Sequence, residues 1–120
     1  MATLTPTITL LSSDTSSDVL SLTITDILTT TEPSVGVSRM SIPTTPLQVI
    51  IASGSPGTVY VYLKNTDDTN HVLITNAAGE AFGRLNPGEP AFVPLDRAAG
   101  LGMIADTADV VVEYAYWTKA

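Results

Sequence analysis

The feature that most constrains this sequence is the alternation of short β-branched runs with proline and glycine, which interrupt the chain about every ten residues. Threonine and serine dominate the first half; both disfavour helix, and threonine suits strands. Turn residues at this spacing are typical of an antiparallel sandwich or barrel rather than a helical bundle. The sequence therefore predicts an all-β fold.

Several runs show the two-residue period of a strand. In 20–25, leucine and isoleucine alternate with serine and threonine, and in 58–64, Tyr60 and Tyr62 share the face opposite to the valines. The run 47–52 is almost entirely apolar, as expected for a strand covered on both faces. We predict eight or nine strands in one domain spanning 1–120, with 96–102 as a loop or a single helical turn.

The N-terminal segment alternates threonine with apolar residues, which places Leu4, Ile8 and Leu10 on one face. Such a segment can be a strand in its own sheet. It can equally be an arm that adds a strand to the sheet edge of a neighbouring subunit. We therefore expect residues 1–18 to form a strand of the domain, or an N-terminal arm or swapped strand.

Charge and composition exclude several classes of function. Twelve acidic against five basic residues give a net charge of -7, and the basic residues are scattered, so neither nucleic acid nor an anionic membrane is an expected partner. The absence of cysteine excludes disulfides and thiolate metal sites. No apolar run reaches bilayer-spanning length, and the N-terminus lacks the pattern of a signal peptide. We expect a chain that stays where it is made or leaves within a larger particle.

Residues that carry catalytic chemistry are sparse. His71 is the single histidine, so a histidine-based zinc site is excluded, and a catalytic base there would need a nucleophile and an orienting carboxylate. The oxygen-rich run 65–70 lacks the central glycine of a calcium loop, and Asn76 stands where the bidentate glutamate belongs, which favours an Asx-rich turn. The glutamates that a glycoside hydrolase would pair fall on separate elements: Glu32, Glu80, Glu89 and Glu113. We predict no enzyme, and no catalytic residue, metal, cofactor or small-molecule substrate.

The aromatic residues are the candidate protein interface: Tyr60, Tyr62, Tyr114, Tyr116 and Trp117. If the valines of 58–64 point into the core, Tyr60 and Tyr62 point away from it. If Tyr114 and Tyr116 point inward, Trp117 points outward. Exposed tyrosine and tryptophan are favoured at interfaces because they bury much area with few rotatable bonds. A second sheet or a loop of the same chain would cover them equally well, and periodicity does not choose between the two.

Three motifs in the second half resemble a group of small phage particle proteins. They are Val-Tyr-Val-Tyr-Leu-Lys-Asn at 59–65, Leu-Asn-Pro-Gly-Glu at 85–89 and Val-Val-Val-Glu-Tyr at 110–114. In that group a strand ending in Lys-Asn precedes a polar turn, a Leu-x-Pro-Gly-Glu hairpin follows, and a Glu-Tyr strand ends the chain. The likeness covers residues 58–117.

The resemblance implies a capsid cement or decoration protein with a jelly-roll-like antiparallel β-sandwich of eight to nine strands. Such proteins sit as homotrimers on the outer capsid surface of the virion, after synthesis in the host cytoplasm, and tie neighbouring subunits of the major capsid protein together. The family has no catalytic or ligand motif, so no functional residue is carried over individually.

The alternative is a phage tail or fibre component, in one form a carbohydrate-binding module for host attachment. Such a module would use Tyr60, Tyr62 and Trp117 in a groove flanked by polar side chains, although Gln48 is the only glutamine. A small hydrolase is the third hypothesis, for which no nucleophile–base pair can be assigned.

Overall fold

The computed structural model of the chain describes residues 2–15, 17–31 and 35–120. Within these ranges it contains twelve antiparallel strands and no helix. The strands are β1 (Ala2–Leu4), β2 (Thr7–Ser12), β3 (Leu20–Thr25), β4 (Leu28–Thr30), β5 (Val35–Ile42), β6 (Gln48–Ile51), β7 (Thr58–Asn65), β8 (Val72–Thr75), β9 (Ala81–Leu85), β10 (Pro90–Asp96), β11 (Leu101–Ala105) and β12 (Val110–Thr118). The predicted all-β class is confirmed.

Strands β5 to β12 form two four-stranded sheets. Sheet I has the order β10-β7-β12-β5, and sheet II has the order β6-β11-β8-β9. This distribution of eight consecutive strands is that of a jelly roll, in which two Greek keys fold into a double sheet. Strand β10 is an edge strand, which explains why it tolerates Pro90 and Pro94. The jelly-roll-like sandwich expected from the resemblance is thus present.

The sequence predicts eight or nine strands for 1–120, whereas the described residues form twelve, of which eight make up the sandwich and four the N-terminal region. Thr5 and Pro6 separate β1 from β2, because proline lacks the N–H that a strand ladder requires. The N-terminal region also contains β4, in which Thr29 and Thr30 pair with β1, and residues 32–34 lie outside the described ranges. Within 96–102, residues 97–99 form a turn between β10 and β11, and no helix is present there.

The core lies between sheets I and II. Its central side chains are at most 1% exposed, and they come from both sheets: Ile42, Val61, Leu63, Val110 and Val112 from sheet I, and Val72, Leu101 and Met103 from sheet II. These positions alternate along their strands with residues on the outer faces, as strand geometry dictates. The inward faces of the two sheets therefore complete one hydrophobic core, and the outer face of sheet I is free to carry another layer.

Strands β1 to β4 lie outside the sandwich and attach to its last strand. Thr30 bridges to Lys119, the Thr31 N–H donates to the Thr118 carbonyl at 2.8 Å, and the Ala120 N–H donates to the Thr29 carbonyl at 2.9 Å. The radius of gyration is 15.5 Å, whereas a compact chain of this length has about 13.6 Å. The N-terminal strands thus extend the molecule beyond a compact sandwich.

Gly100 is a position at which the fold requires glycine. Its φ is +71°, and an added Cβ would lie 2.6 Å from the Ile51 carbonyl oxygen and 2.7 Å from the Ala77 Cβ. We expect Gly100→Ala to lower the free energy of unfolding by about 2–4 kcal/mol, from left-handed strain and overpacking together. Urea denaturation followed by circular dichroism measures this loss.

Gly57→Ala is the matched control, because nothing lies within 4 Å of an added Cβ at Gly57. We expect it to leave the free energy of unfolding unchanged or to raise it by up to about 1 kcal/mol. Equal losses for both variants would contradict the account of Gly100.

Candidate functional site

Strands β2 and β3 form a two-stranded ribbon, hereafter the ribbon, that carries most of its apolar side chains on one face. Ile8 pairs with Ile24 and Leu10 with Leu22 on one face. The opposite face carries the threonine pairs 7–25 and 9–23. Because successive side chains of a strand point to opposite faces, the ribbon has an apolar face and a threonine face. The apolar face consists of Ile8, Leu10, Leu20, Leu22 and Ile24.

The apolar face is only partly covered. Its side chains are between 39% and 51% exposed. The exposed part of these side chains is equivalent to about two whole aliphatic side chains. Burying it against another surface would contribute about 3–7 kcal/mol of favourable free energy. A two-stranded hairpin is at best marginally stable alone in water and needs a further layer. The ribbon therefore presents an apolar strip that a neighbouring surface can cover.

The strip is free of charge, although the protein is acidic. Neither ribbon strand contains an ionisable side chain, and the nearest acidic residues, Asp14, Asp18 and Asp26, lie in the connections at its two ends. An apolar surface without charges can approach another protein without desolvating an ion. The strip is thus physically suited to protein contact.

The outer face of sheet I, opposite the ribbon, is rich in aromatic side chains. The rings of Tyr60 and Phe92 stack with centroids 6.4 Å apart and an interplanar angle of 12°. Tyr62 follows Tyr60 on the same face, and Trp117 lies opposite Tyr60 in the β7–β12 register. These residues form an aromatic face, defined here as Tyr60, Tyr62, Phe92, Pro94 and Trp117.

The ribbon lies next to the aromatic face but does not pack tightly against it. A groove of about 200 Å³ is lined by Ile8 and Ile24 on one side and by Tyr60, Phe92 and Pro94 on the other. A second, open groove of about 500 Å³ continues beside it, where Leu10 of the ribbon faces Tyr62 and Pro90. Since well-packed layers leave few voids larger than a water molecule, the ribbon is loosely seated on its own sheet.

The structure divides the five predicted interface residues between two faces. Tyr60, Tyr62 and Trp117 lie on the outer face of sheet I, whereas Tyr114 and Tyr116 lie against the core. Tyr60 is only 6% exposed, and the other four are half-buried. Their role in an interface stays a prediction.

Sequence reasoning placed Ile8 and Leu10 on one face but did not combine them with 20–25 as a candidate contact surface. The most exposed large apolar side chains of the N-terminal region include Leu11, Val19 and Ile27, at 70–74%. The available signal was that 7–12 and 20–25 both alternate apolar and hydroxyl residues and are joined by a short polar link. Such a pair predicts an amphipathic hairpin. Pattern alone does not say whether the sandwich covers its apolar side.

A polar cluster lies next to the larger groove. The Tyr62 hydroxyl donates to Glu113 Oε1 at 2.7 Å, and Arg39 Nε lies 3.5 Å from Glu113 Oε2. Burial raises the pKa of Tyr62 above its ordinary value of 10.0, and the hydrogen bond to Glu113 and the charge of Glu113 raise it further, while Arg39 opposes them. The cluster ties the Tyr62 hydroxyl of β7 to Glu113 of β12.

His71 contacts one positively charged and one negatively charged side chain. Its Nδ1 lies 3.2 Å from an Arg84 guanidinium nitrogen, and its Nε2 lies 3.8 Å from Asp106 Oδ2. Arg84 also donates to Asn86 Oδ1 at 3.2 Å. Asp106 is exposed, and His71 thus links Arg84 of β9 to the turn that follows β11.

The oxygen-rich run 65–70 is a hydrogen-bonded turn. Asn65 is fully buried, donates from its side chain to the Asn70 and Leu85 carbonyls, and accepts from the Asp67 N–H at 2.8 Å. Asp67 Oδ2 accepts the N–H groups of Thr69 and Asn70. The carboxylate thus serves the turn itself, as the Asx-turn interpretation predicts.

Among the residues described, no group of three or more histidine, cysteine, aspartate or glutamate side chains is arranged to hold a metal ion. That part of the chain also holds no helix of the length and apolarity needed to cross a membrane. Comparison of the chain with family models, curated proteins and solved structures found no match.

The pKa of Tyr62 gives a test of the polar cluster. We expect Glu113→Gln to lower it towards 10.0, because the variant loses the negative charge that opposes ionisation of the phenol. NMR titration of ¹³C-labelled tyrosine measures the change, with Tyr62→Phe identifying the resonance. An unchanged pKa would contradict the contact with Glu113.

The same shift sets a dependence of stability on pH. Because the pKa of Tyr62 is higher in the folded than in the unfolded chain, its contribution to stability is complete below pH 10.0 and is lost as pH rises through the raised value. Above pH 10.0, we expect the free energy of unfolding to fall less steeply with pH in Tyr62→Phe than in the wild type.

Proposed function

We propose that the protein is a structural component of a phage particle, a capsid cement protein that bridges neighbouring subunits of the major capsid protein on the outer surface of the head. The observation that carries the proposal is the half-exposed apolar face of the ribbon, which lies outside the two sheets of the jelly roll. A binding arm on a rigid body is what a bridging protein requires. The motifs at 59–65, 85–89 and 110–114 resemble those of small phage particle proteins, and this resemblance is the reason for proposing a phage head as the particle.

The hydrophobic core lies in the sandwich, whereas the exposed apolar surface lies on the ribbon, and this separation supports the proposed role. The core closes between sheets I and II, so the sandwich does not depend on the ribbon for its own burial. The ribbon strands have no fully buried side chain and are uncharged. Covering them on a neighbour is favourable because it removes apolar surface from water at little electrostatic cost.

Many copies of the protein on one capsid would strengthen an attachment in which each single ribbon contact is small. One ribbon has an apolar strip about 20 Å long, which is small for a stable interface between two free proteins. When several copies engage one particle, or one copy contacts two capsid subunits, each later contact forms at a high effective concentration. Small contacts thus add up to a firm attachment, which is how a cement protein stabilises a shell.

The attachment-module alternative has less support from the geometry. A sugar would have to stack on the free faces of Tyr60, Tyr62 or Trp117. Tyr60 is stacked on Phe92 and 6% exposed, and the ribbon lies over Tyr62 across the larger groove. The arrangement therefore favours protein contact over carbohydrate stacking.

The function is tested on phage heads prepared without the protein. Adding the wild-type chain should raise the temperature and the osmotic shock that the heads withstand. The double variant Leu10→Thr with Leu22→Thr should give less than a tenth of the wild-type occupancy at equal concentration, because it removes apolar contact area from the ribbon. DNA release on heating and quantitative electrophoresis of pelleted heads are the two measurements.

Leu11→Thr is the matched control, since Leu11 is 70% exposed and lies on the threonine face of the same strand. It should bind and protect as the wild type does. If heads without the protein survive heat and shock as well as heads that carry it, the cement function is wrong.

A further inference from the structure

The connection between β6 and β7, residues 52–57, forms one side of a pocket that the proposed function does not use. The pocket has a volume of about 520 Å³, which is within the range of sites for small ligands. Its other sides are formed by Thr58, Arg97, Thr118 and Lys119. It shares no lining residue with the two grooves beside the ribbon, so it is separate from the surface assigned to a capsid subunit.

Two of the five basic residues line this pocket. Arg97 and Lys119 are far apart in the sequence, and the fold brings them together because the ends of β10 and β12 both pair with the start of β7. Both side chains are exposed, and neither forms a salt bridge within the part of the chain that the structure describes. No aspartate or glutamate lines the pocket. In a protein of net charge -7, the pocket is thus a local site of positive charge.

Asp96 precedes Arg97 in the chain but does not form a salt bridge with it. Its Oδ1 accepts the Ala98 N–H at 3.0 Å, in the turn after β10. Asp96 lines a neighbouring depression, together with Pro94 and Leu95, and not the pocket itself. The carboxylate therefore serves its own turn, and the positive charge in the pocket remains available to a ligand.

Backbone hydrogen bonds hold both basic residues against the connection. The Gly54 N–H donates to the Arg97 carbonyl at 3.2 Å, and the Arg97 N–H donates to the Gly57 carbonyl at 2.8 Å. The Lys119 N–H donates to the Thr58 carbonyl at 3.0 Å. The points from which the two side chains extend are thus fixed relative to the pocket, and a ligand would not have to order the backbone around it.

The two glycines of the connection keep the pocket open. Neither Gly54 nor Gly57 has a positive φ. An added Cβ at Gly57 would meet nothing within 4 Å, and one at Gly54 would meet only Arg97 Nε, at 3.9 Å. Neither the backbone conformation nor the packing therefore requires glycine at these positions. Without side chains there, a ligand reaches the guanidinium and the main chain of the connection closely.

We propose that this pocket binds a polyvalent oxyanion, a small molecule that carries phosphate or carboxylate groups. The planar guanidinium of Arg97 matches two oxygens of such a group, and Lys119 supplies a second positive charge. The hydroxyls of Ser53, Ser55 and Thr58 line the same pocket and are of a kind that donates to further oxygens. No aromatic ring lines it, so recognition rests on charge and hydrogen bonds. This inference goes beyond the proposed function, because it concerns a free ligand and does not require a particle.

Titration of the ¹⁵N-labelled full chain with pyrophosphate, followed by NMR, tests the site. We expect saturable shifts of the amide resonances of 52–58, Arg97 and Lys119. Arg97→Gln and Lys119→Gln should each raise the dissociation constant by about tenfold or more, because each removes a charge-assisted hydrogen bond. Neither side chain forms a salt bridge in the described part of the fold, so both variants should unfold at the wild-type temperature in circular dichroism.

Lys64→Gln is the matched control, because it removes the same charge from a residue that does not line the pocket. Lys64 lies towards the opposite end of β7 from Thr58, about 20 Å away along the strand. Since exposed charges at that distance are screened at physiological salt, the dissociation constant should stay within about twofold of the wild-type value. An equal loss of binding in Lys64→Gln and Arg97→Gln would reduce the effect to net charge and overturn the site.

Citrate is the second probe, and it distinguishes the two kinds of oxyanion. Tighter binding of pyrophosphate than of citrate identifies phosphate groups as the ligand chemistry, and the reverse order identifies carboxylates. If neither anion gives saturable shifts at 52–58 at millimolar concentration, the oxyanion site is refuted. That result would leave the cement function to its own test on phage heads, and failure of the chain to protect heads would leave the oxyanion site to this titration.

Discussion

The packing of sheet I against sheet II is the interaction on which the rest of the structure depends. Leu63 and Val112 on one side and Leu101 and Met103 on the other are fully buried, so the eight-stranded sandwich completes its core by itself. Because each strand presents two faces, filling the inner face also determines which side chains point outward. The aromatic face of sheet I is therefore a consequence of the core, formed by the residues that alternate with it.

A jelly roll that is complete in itself leaves the N-terminal strands without a place in either sheet. They pair with each other, β1 with β4 and β2 with β3, because every strand needs a hydrogen-bonded neighbour. A pair of strands satisfies one backbone edge of each partner but cannot enclose a core. The apolar face of the ribbon is the result, and it provides the contact surface of the proposed function.

Polar side chains hold the ends of the sandwich in place. Asn65 is buried at the end of β7 and ties the following turn to the Leu85 carbonyl, while Glu113 joins Tyr62 to Arg39 across sheet I. In each case the polar groups of half-buried or buried side chains find partners, as a stable interior requires. These contacts account for the oxygen-rich sequence at 65–70 without a ligand.

Much of the fold could be predicted from local pattern. Alternation placed the inward valines of 58–64 and 110–114, and the same alternation put Tyr114 on the core side and Trp117 on the other. The run 47–52 was expected to be covered on both faces, but β6 is an edge strand and Val49 is 41% exposed. An apolar run indicates a strand, whereas its position within a sheet depends on residues far away in the sequence.

The candidate site could be predicted only in part, for the same physical reason. Local alternation, which needs only neighbouring residues, was enough to predict most of the strands and their inner and outer faces, and composition alone shows that 7–12 and 20–25 are uncharged. Tertiary structure decided that Tyr60 is buried against Phe92 and that Ile8 and Ile24 remain half-covered above it. Burial is a property of what lies opposite a side chain, and that is settled by long-range pairing and by the attachment of the ribbon to β12.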